Sequence, residues 1–85
     1  MKSLGLFPFM ARGIIDDFDT ETEDGIYDVN TTSKNNPEKE TGGNAFIFFS
    51  TYFRMQIYVP YNKEYIYLRY KEFTYPYLPW KKINI

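Results

Sequence analysis

The 85-residue chain contains no cysteine and no histidine. The first absence excludes disulfides and sulfur redox chemistry. Together the two exclude zinc sites of the common kinds, Ser-His-Asp triads and Cys-His pairs within this chain. No apolar run approaches the roughly 20 residues of a membrane-spanning helix, so no membrane span is expected. The opening MKSLGLFPFMARG has a short apolar run broken by Gly5 and Pro8, with no small-x-small cleavage pattern. It reads as the start of a soluble protein made in the cytoplasm. Neither charge sign dominates: ten basic residues face eleven acidic ones, for a net −1.

Aromatics are what the chain has in excess: nine Tyr, eight Phe and one Trp. A domain this short buries only about two thirds or less of the surface its unfolded form exposes, and large rings compensate by removing much area with few rotamers. They also favour strands. Oligomerisation is the other remedy, and a homo-oligomer is expected. The charge is uneven. Residues 1–44 carry nine acids and four bases, and residues 45–85 carry two acids and six bases. Such a split suits either two solvated faces of one domain or an acidic part meeting a neighbour's basic part.

Residues 1–13 read as an N-terminal arm whose Leu4, Leu6, Phe7, Phe9 and Met10 call for burial, on the domain or on a neighbouring chain. The spacing of Ile14, Ile15 and Phe18 predicts a short helix ending before Gly25. GIYDVN alternates as a strand, with Ile26 opposite Tyr27 and Val29. Residues 31–44 form a polar loop punctuated by Asn35-Asn36-Pro37 and Gly42-Gly43. From Ala45 the pattern is nearly continuous strand. Phe53, Met55, Ile57 and Val59 oppose Arg54, Gln56 and Tyr58, while Ile66, Leu68 and Tyr70 oppose Tyr65, Tyr67 and Arg69. Residues 60–64 make a hairpin turn, FTYPYLP an extended loop, and WKKINI a closing strand. The expected fold is one mostly β domain over residues 14–85 in the α+β class. Its expected parts are a small antiparallel meander of four or five strands and one short N-terminal helix. Ile66, Leu68 and Trp80 are the expected core.

No reaction is displayed. The acidic run DDFDTETED fails the EF-hand register, because counting from Asp17 puts Thr22 at the sixth place and Asp28 at the twelfth. Its carboxylates are crowded on one segment and not placed to converge across a glycosidic bond. GGNAFIFF matches an RNA-recognition octapeptide at Gly43, Ala45, Phe46, Ile47 and Phe49. Gly42 and Asn44 stand where a basic residue and a stacking ring belong, and a buried strand explains the run more simply. The candidate contacts for a ligand are Arg69 and Gln56, which offer a fixed fork and an amide, together with Tyr75, Tyr77 and Trp80. Each has a bland alternative: the polar pair tying loop carbonyls to the sheet, and the Trp filling the core.

The ordered set Gly25-Ile-Tyr-Asp-Val29, Asn36-Pro37, AFIFF, Gln56, Tyr67-Leu-Arg69 and Tyr77-Leu-Pro-Trp80-Lys-Lys-Ile83 resembles the pyocin-knob type of domain of phage and prophage tail fibres. The likeness spans residues 14–83, with Tyr77 standing where that family has the first Trp of its closing pair. The resemblance implies a non-enzymatic knob without cofactors, carried on a trimeric virion fibre beside other fibre or baseplate proteins. Such knobs contact bacterial surface glycans or act as structural beads, and both readings stay open. Single-stranded nucleic-acid binding is a further alternative that the acidic balance disfavours, so no nucleic-acid partner is expected.

Overall fold

A computed structural model describes residues 11–38 and 42–85. It is mostly β: six strands form one mixed sheet in the order of the sequence. They are β1 (Ala11–Ile14), β2 (Gly25–Val29), β3 (Gly43–Ser50), β4 (Phe53–Pro60), β5 (Tyr65–Glu72) and β6 (Lys81–Asn84). Strands β2 to β6 are an antiparallel meander. Its register aligns Tyr27, Ala45, Tyr58, Tyr67 and Lys82 in one row across the sheet. Strand β1 adds a sixth, edge strand, parallel to β2. Its pairing shifts between Ala11 and Ile14, and Gly13 takes the left-handed φ of 90° at that irregularity, where a side chain would be strained. Ala11 to Gly13 of the expected arm thus belong to the sheet, while residues 1–10 lie outside the described residues.

The helix expected from Ile14 to Asp24 is not formed. Its backbone groups are committed elsewhere: Ile15 N–H bonds the Asp28 carbonyl, Phe18 N–H bonds the Lys34 carbonyl, and the Asp16 carbonyl accepts Lys34 N–H. Thr20 and Glu21 N–H share the Asp17 carbonyl and close a single helix-like turn. Apolar spacing was a poor guide here because Ile15 and Phe18 point inward from turns held by neighbouring segments. Residues 15–24 and 30–38 instead form an irregular layer stitched by a parallel bridge between Asp17 and Lys34.

That layer determines which sheet face is buried. The core consists of Ile15, Phe18, Tyr27, Val29, Ala45, Ile47 and Tyr58, with Tyr67 and Trp80 packed against it. On β4 and β5 this is the face carrying Gln56, Tyr58, Tyr67 and Arg69, not the aliphatic one. Ile66 and Leu68 were expected in the core, yet they are half-buried on the opposite face. The physical reason lies in the cover. A loop layer has backbone carbonyls without ladder partners, and a buried carbonyl needs a donor. An aliphatic face has none to offer. The ring-and-polar face does: Tyr27 Oη donates to Glu23 O at 2.8 Å and Gln56 Nε2 to Phe18 O at 2.6 Å, while Tyr58 Oη adds a second bond, at 3.3 Å, to the Gly42 carbonyl that also accepts Tyr61 N–H. Ser33 Oγ adds a bond within the layer, to Ile15 O at 2.7 Å.

Candidate functional site

Four of the five residues singled out from sequence meet around one guanidinium. Arg69 projects from β5 beneath the loop layer and is 8% exposed. Its Nε donates to Gln56 Oε1 at 2.7 Å, directly across the β4–β5 pairing, and its Nη2 reaches Asp19 Oδ1 at 2.8 Å. Its guanidinium carbon lies 4.0 Å from the centroid of the Tyr77 ring and 4.5 Å from that of Trp80. Both stacking partners come from the segment between β5 and β6, whose two prolines hold it extended over the sheet. Trp80 meets Phe18 and Tyr67 edge-on, with centroids 5.5 and 6.5 Å away. The fork of Arg69 is therefore immobilised in plane by hydrogen bonds and out of plane by rings.

Gln56 is wholly buried, and both ends of its amide are used, one by Phe18 and one by Arg69. It faces no solvent. Tyr77 is half-buried. Burial raises its hydroxyl pKa, opposed by the nearby positive charges of Arg69 and Arg54. Among the described residues that hydroxyl has no hydrogen-bond partner. The fifth residue, Tyr75, stands apart. It is 65% exposed, edge-on to Phe73 at 6.5 Å, and borders a separate groove of about 240 Å³ with Tyr70 and Leu78.

Above Arg69 the loop layer opens into a polar hollow of about 730 Å³. Thr31, Thr32, Asn35, Asn36 and Asp19 line it, with Ser33, Lys34 and Arg69. Local turns set these side chains. Asn30 Oδ1 accepts from Thr32 N at 2.9 Å and from Thr32 Oγ1 at 2.6 Å. Asn35 adopts φ 61°, a left-handed conformation that asparagine tolerates, and its Nδ2 donates to Asp17 Oδ1 at 2.7 Å. That bond, followed by the one from Asp19 N–H, holds the Asp17 carboxyl below its ordinary pKa. The wall thus offers hydroxyls, amides, one carboxylate and two cations, Lys34 and the rigidly held Arg69, without a nucleophile placed against a base. No cluster of three metal-ligating side chains occurs among the described residues.

A second polar centre pins the other end of the loop. Glu38 Oε2 accepts from Tyr65 Oη at 2.7 Å and from Tyr67 Oη at 2.9 Å. Lys82 Nζ lies 3.9 Å from the Tyr65 ring centroid. The carboxylate hydrogen bond pushes the Tyr65 pKa up to about 12.

The sequence thus pointed to the floor of the hollow and missed its walls. Asp19 lay in a run read as a solvated acidic face. Thr31, Thr32 and Asn35 lay in a segment read only as a polar loop. The one usable signal was the density of turn-forming Asn, Thr and Ser beside an Asn-Pro step. Among the described residues no helix is long and apolar enough to cross a membrane. Comparison with family models, with curated proteins and with solved structures finds no match to this chain.

Proposed function

We propose that this chain is a non-enzymatic adhesion module of the pyocin-knob kind, made in a bacterial cytoplasm and carried on a phage or prophage tail fibre. It engages hydroxyl-rich ligands, namely glycans of a bacterial surface. The observation that supports this reading best is the polar hollow, whose hydroxyl and amide walls sit beside an arginine fork already held flat by two rings. Donors and acceptors fixed before binding lose little freedom on meeting a sugar, which suits weak sites used in multiple copies. In this reading Arg69 touches ligand at the floor of the hollow, Gln56 and Trp80 hold Arg69, Tyr77 supports the stack, and Tyr75 serves as an outlying contact.

A glycan array and binding to intact bacterial cells test the proposal. Thr31→Val and Thr32→Val alter the wall without touching the sheet, and each is expected to abolish retention on the glycan that the natural chain binds. Absence of binding to every glycan and cell surface by a folded chain would remove the adhesive reading.

A second reading, a structural or assembly element of a fibre with no ligand of its own, is favoured by one separate feature, the half-buried aliphatic sheet face, over which no strand or helix lies among the described residues. Nucleic-acid binding would show affinity falling steeply with salt.

A further inference from the structure

The buried face of the sheet uses its tyrosines, Gln56 and Arg69. Its other face carries Phe46, Met55, Ile57, Val59, Ile66 and Leu68, all half-buried. They lie in register across β3, β4 and β5. The six strands belong to one sheet, so among the described residues no strand or helix covers these side chains. Charges occur on this face at its two margins and at the end of β5, where Glu72 pairs with Phe53. Asp28 lies on β2 beside one edge, and Lys81 lies on the opposite edge strand β6, paired with Leu68.

We propose that this face packs against the same face of a second copy of the chain, making a two-fold symmetric sheet-on-sheet dimer. Strands about 4.8 Å apart and alternate side chains about 6.8 Å apart give roughly 200 Å² for the six apolar side chains and roughly 500 Å² for the whole face of β2 to β6 with its margins, or roughly 1,000 Å² in all for two copies. That total is at the lower limit for a specific interface. A two-fold axis parallel to the strands, between the two sheets, reverses the strand order of the partner. It lays the Lys81 margin of each copy over the Asp28 margin of the other. An axis perpendicular to the strands would set like margins together, so charge selects the first arrangement. The dimer gives this face an apolar layer to pack on, which no strand or helix supplies among the described residues of an 85-residue chain without disulfides. It also leaves the polar hollow of each copy on the outside. The inference is independent of the glycan reading, which concerns the opposite face.

Sedimentation velocity and light scattering of the full chain, from micromolar to millimolar concentration, test it. The expected species has twice the 10.2 kDa mass of the chain. Ile57→Lys and Leu68→Lys are expected to give a monomer. Because those changes endanger folding, the margins provide a milder pair of variants. Lys81→Glu is expected to weaken the dimer about tenfold, since symmetry repeats the contact, and Asp28→Lys in the same chain is expected to restore it. A monomer at every concentration overturns the proposal, as does a trimer indifferent to these substitutions. So does a monomer that dimerises only after residues 1–10 are deleted, which would assign the face to the chain's own N-terminal residues.

Discussion

Gln56 shows how much one buried amide can hold. Its Nε2 satisfies the Phe18 carbonyl of the loop layer, and its Oε1 orients Arg69, which in turn reaches Asp19. Gln56→Leu keeps the approximate volume and removes both bonds. It strands a carbonyl and one arm of a cation in a site that admits little water. The expected loss is about 2–4 kcal/mol, read from the midpoint of urea unfolding with the slope unchanged. A loss under about 0.5 kcal/mol would mean that the amide bonds carry little. Gln56 and Arg69 were legible as candidates because a Gln and an Arg in otherwise apolar strands are conspicuous. Their partners were not legible. Phe18 lies 38 residues before Gln56, and Asp19 lies 50 before Arg69.

At the scale of elements, the strands were largely legible and the helix was not. Period-two alternation in GIYDVN placed Tyr27 and Val29 on one face, and both are buried while Asp28 is exposed. The turn at 60–64 falls between β4 and β5, with Asn62 at φ 58°. Gly43 marks a further constraint on β3, which begins inside the expected polar loop. A Cβ at that position would overlap the Val59 carbonyl oxygen and stand 3.0 Å from a Tyr58 ring carbon. Gly43→Ala therefore forces apart the start of the β3–β4 pairing. The expected cost is about 2–3 kcal/mol in thermal or urea unfolding, together with faster amide exchange at the ladder bonds near Pro60. Nothing in the local sequence separates this glycine from an ordinary turn former. The close approach exists only once β4 lies alongside.

At the scale of the molecule, two layers meet: a sheet and a loop cover held by side-chain bonds. Such a cover is sensitive to acid. Asp17 accepts from Asn35 and from Asp19 N–H, and its folded pKa lies below its ordinary value of 3.8. A depressed carboxyl contributes stability that is present above the unfolded pKa and is lost as pH falls through the folded one. The melting temperature is expected to fall below about pH 4. Asp17→Asn is expected to flatten that part of the profile between about pH 2 and pH 6. Equal slopes in the two chains would show that Asp17 plays no part in the acid response.

The amino-acid sequence by itself determined a β-rich chain without cysteine, with its ring-bearing strands, its main hairpin and the candidacy of Arg69, Gln56, Tyr77 and Trp80. Those follow from local alternation, turn chemistry and composition, which act over a few neighbouring positions. Only the tertiary structure decided which face of the sheet is buried. Alternation states that a strand has two faces and assigns the aliphatic one inward by default. The actual cover is a loop whose carbonyls need donors, so the face of tyrosines, Gln56 and Arg69 was buried, while the aliphatic face is half-buried with no strand or helix over it among the described residues.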